Sequence, residues 1–347
     1  MHGGLKIYRG SPAAARNYVE ADRSRVDDYY LAEGTGVATR YVASPSKIDL
    51  AGPMDGDTYE RWVAGRHVGE GPCAGRAKGR LRTDDRANRF VEITINGPKT
   101  WSLAAVVDPE IAAAYDRAQE RAAQEVIGWL AQHATTRIGP RGRQVQIPVE
   151  EIEAAVIHHH TSRAGDPHRH LHVQINARVF AHGHWRGLHT IGVRDFLEAI
   201  NGIGHAVVMT DLEFRTLLAS RGFQVDADSG EIVELQPFVA TFSARSRQIE
   251  QNLDRYEAEW RHTRPGQEPG PRLRQTWDRR AWAEERPDKV VPTSGARLED
   301  WWRDELAHLG LRRPTRPVPL EPVRPGTLDR DAMAAEILTG LGARASA

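Results

Sequence analysis

The chain has 347 residues with Lys+Arg and Asp+Glu balanced at 47 each, a length that fits two domains or one large one. At 40% hydrophobic residues it can build a core, yet no apolar run approaches the roughly 18 residues of a membrane span. The N-terminus has no apolar stretch of the secretory type, and the lone cysteine, Cys73, excludes an internal disulfide, so a cytoplasmic protein without membrane insertion is expected.

Residues 11 to 34 read as a helical region that holds Tyr18, Tyr29 and Tyr30. Gly71 to Arg89 concentrates Arg76, Lys78, Arg80, Arg82, Arg86 and Arg89 against Asp84 and Asp85. Balanced net charge makes no case for nucleic acid, but this stretch reads either as a solvated loop or as a phosphate-binding flap. Phe90 to Ile95 alternates as a strand, with Val91, Ile93 and Ile95 on one face and Phe90, Glu92 and Thr94 on the other. Asp108-Pro109-Glu110 is a helix start, and Ile111, Tyr115, Ala118, Ala122, Val126, Trp129 and Leu130 form its apolar stripe, ending near His133.

Arg141-Gly142 predicts a turn, Ala154 to His160 and His170 to Phe180 an antiparallel strand pair, and Gly183 to Leu188 a further turn. Beyond these the chain reads as helical over 193–220 and Ser243 to His262, interrupted by a hairpin from Gln224 to Leu235 that turns at Asp228-Ser229-Gly230. Arg264 to Pro271 reads as a linker. Helices are expected over 296–309 and 329–341, with Pro314 to Pro325 extended between them. The pattern is α+β, strands first and helices after.

Six of the fifteen histidines fall in residues 158–172. His170 and His172 are two apart, so a strand points both to one face. A third nitrogen from the neighbouring strand would complete a metal set with positions left open for water and substrate. Spacing does not choose among His158, His159 and His160. A cupin-type site would want a Glu where Asn176 and Ala177 stand. A histidine-triad nucleotide hydrolase, which would use a His nucleophile and no metal, would want apolar residues where Arg169 and Gln174 stand.

Taken together the motifs resemble those of MobF-type conjugative relaxases, members of the HUH endonucleases. They are Asp27-Asp28-Tyr29-Tyr30, then Glu92 ahead of Pro98-Lys99-Thr100-Trp101-Ser102, then His159, Thr161-Ser162-Arg163, Asp166-Pro167, His170 and His172. Trp185-Arg186 and Phe242-Ser243-Ala244-Arg245 extend the likeness, which runs from about Tyr18 to Lys289. The resemblance implies an antiparallel sheet "palm" flanked by helices, with a C-terminal, mainly helical "fingers" region. Expected boundaries are 1–190 for the palm, 191–265 for the fingers with the small hairpin, and 266–347 for linkers and C-terminal helices. No G-x-x-x-x-G-K-[ST] loop occurs, so no helicase domain is expected in these residues.

Carried over by position, the resemblance implies His159, His170 and His172 as ligands of one divalent ion. Ligand type suits Mn, Zn, Co or Ni better than Mg. It implies Glu92, where better-known members have Asp, as support for a ligand or help for the nucleophile's proton. Tyr18, Tyr29 and Tyr30 are the candidate nucleophiles. The usual Tyr-Tyr pair is Asn17-Tyr18 here, so Tyr18 serves after a one-residue shift or the work falls to Tyr29 or Tyr30.

The implied activity is metal-dependent, strand-specific nicking of plasmid or integrative-element origin-of-transfer DNA through a 5′-phosphotyrosine, followed by rejoining. Single-stranded or extruded DNA would be the substrate. Lys99, Arg76, Arg80, Arg82, Arg163 and Trp185 are candidate DNA contacts, the cations for backbone and the ring for base stacking. Other relaxosome proteins and a type IV secretion coupling protein are the implied partners. The alternatives are the histidine-triad nucleotide hydrolase and a catalytically inactive DNA-binding protein.

Overall fold

The computed structural model describes residues 4–22, 36–82, 84, 86–140, 143–162, 164–284 and 295–320. The first strand, β1 (Leu5–Tyr8), leads into α1 (Pro12–Asp22); β2 (Ala38–Ser44), β3 (Lys47–Met54) and α2 (Gly56–Val63) follow. Next come β4 (Phe90–Asn96), α3 (Lys99–Val107), α4 (Pro109–His133), β5 (Thr135–Ile138) and β6 (Val145–Pro148). The two longest strands, β7 (Ile152–Thr161) and β8 (Pro167–Asn176), precede β9 (Arg178–Ala181) and β10 (His184–Gly187). Helices then dominate: α5 (Thr190–Asp195), α6 (Leu197–Thr210), α7 (Leu212–Ser220), α8 (Ala244–Thr263), α9 (Pro271–Ala283) and α10 (Gly295–His308).

The main sheet has six strands in the order β1-β4-β8-β7-β2-β3, and each neighbouring pair is antiparallel. Alternation along the strands splits it into two unlike faces. The first buries Val91, Ile93, Ile95, Leu171, Val173, Ile175, Ala154 and Val156 against α3 and α4. Helix α4 starts where the sequence predicts: the Asp108 carboxylate accepts the Glu110 N–H at 2.8 Å, and Pro109 occupies the first turn. Its stripe of Ala114, Ala118 and Ala122 is fully buried, and such small side chains let the helix lie close on the sheet.

The second face carries a smaller core, in which Ala15 and Val19 of α1 and Tyr59, Trp62 and Val63 of α2 pack on Ala38, Phe90, Ala155 and Ile157. Segment 64–82 also meets this face. Lys78 is fully buried there, with Nζ 2.5 Å from Glu153 Oε2 and 4.7 Å from the centre of the Trp185 ring; Arg40 Nη2 reaches Glu153 Oε1 at 3.3 Å. Glu153→Leu strips both cations of their carboxylate. Breaking a buried pair on one side costs about 3–5 kcal/mol, so urea denaturation is expected to show a loss of unfolding free energy of that size.

The strand read as 170–180 begins at Pro167 and breaks after Asn176. The Asn176 side chain makes the break: Oδ1 accepts the Arg178 N–H and Nδ2 donates to the Trp62 carbonyl, each at 2.8 Å. Beyond it β9 pairs with β10, so the turn expected over 183–188 is confined to His182 and Gly183, both at positive φ, and 184–187 is strand. The helical stretch 193–220 is three helices, with Asp211 capping the last by accepting the Phe214 N–H. The hairpin is present, closed by the Val225–Ile232 bridge. Helix α9 was not expected. Pro271 ended a linker in the sequence reading, yet it stands in the helix's first turn, where a missing N–H costs nothing. The expected turn at Arg141-Gly142 and helix over 329–341 lie outside the described residues.

Candidate metal centre

Strand parity selects among the adjacent histidines of β7. His159 shares the second face with Ala155 and Ile157, while His158 and His160 point to the first face, under α4. There His158 Nε2 lies 2.9 Å from Glu120 Oε2, and His160 Nε2 lies 4.0 Å from Asp116 Oδ1. These two acids are four residues apart on α4 and so lie on one side of it. Burial, aided by the Arg169 charge, holds His160 well below the usual imidazole pKa.

On β8, His168, His170, His172, Gln174 and Asn176 share the second face. The register sets His159 opposite His170 and Ile157 opposite His172. One nitrogen from each of His159, His170 and His172 can be chosen so that all three lie within 4.8 Å of one another. The donor set is three imidazoles, a ligand type that suits a borderline transition-metal ion. The residues therefore fit one divalent cation.

Neighbouring groups orient two of the rings. His170 Nδ1 lies 2.8 Å from the His168 carbonyl, which only accepts, so the proton is on Nδ1 and the lone pair on Nε2. His172 Nδ1 lies 3.3 Å from Glu92 Oε1, and Gln174 Nε2 donates to Glu92 Oε2 at 2.9 Å. Burial acts to raise the Glu92 pKa, but the His172 and Gln174 contacts outweigh it and hold the carboxyl at about 2. Tyr59 extends the line, donating to Gln174 Oε1 at 2.7 Å. His168 stacks on His170 with ring centres 4.6 Å apart, and burial keeps it well below the usual imidazole pKa.

Tyr18 lies in α1, one residue before Val19, on the helix that packs against this same face. It is 43% exposed, whereas Tyr41, Tyr59, Tyr115 and Tyr256 are buried. Tyr29, Tyr30 and Arg163 lie outside the described residues.

Of the candidate DNA contacts, Arg76, Arg80 and Arg82 are exposed, and Arg82 pairs with Asp84 at 2.8 Å. Lys99 and Trp185 have partners within the protein. Lys99 Nζ donates to the Pro167 carbonyl at 2.8 Å, and burial lowers its pKa to about 8 against the pull of Asp166. Trp185 meets Lys78, His67 and Phe180. Sequence reasoning missed Gln174 and Tyr59. Gln174 continues the i, i+2 series from His170 and His172, a signal present in the sequence, whereas nothing local marks Tyr59.

An antiparallel sheet that presents three histidines on one face, beside a tyrosine-bearing helix, has the arrangement that the sequence resemblance implies. Residues 12–309 match the TrwC relaxase family, and the chain belongs to that family. It is 26% identical over 258 residues to the multifunctional conjugation protein TraI of Escherichia coli, a match that spans 71% of this chain and 14% of that protein. Among solved structures, the metal-bound complex of conjugative relaxase TrwC with oriT DNA superposes with a TM-score of 0.62 at 20% identity, covering 90% of this chain and 99% of that one. TrwC with a 27-mer DNA comprising the recognition hairpin and the cleavage site gives 0.60 at 19% identity, with the same coverage.

Proposed function

We propose that this chain is a conjugative relaxase domain that nicks one DNA strand at an origin of transfer by transesterification onto a tyrosine, and later rejoins it. The observation that carries the reading is the His159–His170–His172 cluster on the sheet face against which the Tyr18 helix packs, in a member of the TrwC relaxase family. The complexes of TrwC with origin DNA support it by fold. The nucleotide-hydrolase alternative gives way to that membership.

His159, His170 and His172 would hold one divalent ion, which supplies Lewis acidity toward the non-bridging oxygens of the scissile phosphate. In this reading the Tyr18 phenolic oxygen forms a bond to phosphorus as the bond from phosphorus to the 3′ oxygen breaks. The phenol gives up its proton, and the departing 3′ oxygen takes one up. A phosphodiester is exchanged for a phosphodiester, so rejoining needs no outside energy source. Glu92 would serve by holding His172, whose Nδ1 lies 3.3 Å from Oε1. Outer partners of this kind set the orientation of a ligand imidazole.

The exposed Arg76, Arg80 and Arg82 would follow the DNA backbone, with Arg163 as a further contact. Lys99 and Trp185 shape the scaffold beside it. Among the described residues no helix is long and apolar enough to cross a membrane. The work is proposed to occur in the cytoplasm, with other relaxosome proteins and a type IV coupling protein.

The reading is tested with manganese-loaded protein and a library of single-stranded hairpin DNAs carrying randomised 3′ flanks. Denaturing gels are expected to show a DNA–protein adduct that forms with manganese and is absent with EDTA. Cleavage to free 5′-phosphate ends without any adduct would contradict it.

A further inference from the structure

We infer that Ser102 is a positioning residue for the metal centre, acting on His170 through one peptide group; the inference rests on the metal-centre reading above. Strand β4 ends at Asn96, opposite His170, and the chain turns away through Gly97-Pro98 into α3. The next residues of β8 toward its start, Arg169 and Pro167, therefore have no ladder partner on that side. Side chains of α3 and α4 take the strand's place. Lys99 Nζ donates to the Pro167 carbonyl at 2.8 Å, the buried Ser102 Oγ accepts the Arg169 N–H at 3.0 Å, and Gln119 Nε2 donates to the Arg169 carbonyl at 3.0 Å.

The middle bond matters most. The N–H that Ser102 accepts belongs to the His168–Arg169 peptide. The carbonyl of that same peptide receives the proton of His170 Nδ1 at 2.8 Å. Ser102 thus fixes the plane of the peptide that fixes the tautomer and tilt of a ligand ring, and with them the aim of Nε2. Gln119 fixes the following peptide, whose nitrogen is that of His170 itself. On the other side of β8 the ladder is also irregular, because the β7 register shifts between His159 and Thr161. His170 therefore stands at the last regular position of the sheet, and the α3 and α4 side chains set what lies beyond it.

Thr100 supplies the control. It is buried in the same turn of α3, but its hydroxyl donates to Glu231 and accepts the Ile232 N–H at 2.9 Å, away from β8. Cobalt(II) chloride is titrated into the full chain, with binding followed by heat and by the visible absorption of the ion. Measurements are made well below every variant's melting midpoint. Ser102→Ala is expected to weaken cobalt binding about tenfold and to change the absorption spectrum. Gln119→Leu should shift affinity in the same direction, and Thr100→Val should leave affinity and spectrum as in the wild type. If Ser102→Ala binds as tightly as the wild type, or Thr100→Val weakens binding equally, the inference is overturned while the metal centre stands. If the wild type takes up no cobalt, both fall together.

Discussion

Replacing His170 by alanine is expected to slow covalent DNA attachment by about a thousandfold and to weaken divalent-ion binding in parallel. The ring supplies one of three clustered nitrogens, and its Nδ1 is tied to the His168 carbonyl. A bound cation contributes several kcal/mol of charge stabilisation in phosphate chemistry. At 1.36 kcal/mol per tenfold, a loss of about 4 kcal/mol is about a thousandfold in rate.

The informative control is the neighbour on the other face. His158 contacts Glu120 under α4, so His158→Ala should cost stability and leave attachment and ion binding near wild type. Adduct yield against time, measured for both variants at saturating manganese, separates the two. Equal losses in both would mean that the cluster is structural.

The contrast between these two histidines also shows what the sequence could carry. Period-two alternation put His170 and His172 on one strand face and named β4, β7 and β8, because half-buried strands write that pattern directly. It left His158, His159 and His160 open, since parity within β7 depends on how it pairs with β8. The family resemblance chose His159, and the register agrees with that choice geometrically. The long helix α4 was legible from its Asp-Pro cap and apolar stripe.

Other features had no local signature. Strands β2 and β3 alternate weakly, as an edge hairpin can. Asn176 ends β8 through side-chain bonds to Trp62 and Arg178, residues remote from one another in the chain. Lys99 and Trp185 are candidate DNA contacts because cations and aromatics are common at nucleic-acid sites. Their partners, the Pro167 carbonyl and Lys78, become visible only in three dimensions.

Tyr18→Phe is expected to abolish the first covalent attachment outright, because the variant has no oxygen to join to phosphorus. Stability should change little, as the side chain is 43% exposed and Ala15 and Val19 make the apolar contact of α1. Binding of uncleaved single-stranded DNA should also persist, since backbone charge dominates affinity. Fluorescence anisotropy would report the binding and denaturing gels the loss of adduct. Tyr59 cannot substitute: it is fully buried, burial raises its pKa, and its hydroxyl is committed to Gln174.

The most direct measurement is to isolate the adduct formed by the wild-type chain with manganese, digest it, and identify the DNA-bearing peptide by mass spectrometry. A 5′-phosphate linked to the Tyr18 peptide, with no adduct in EDTA, is the predicted result. An adduct that forms equally well in EDTA, or one carried by a residue other than Tyr18, would contradict the assignment of the nucleophile to the face that holds His159, His170 and His172.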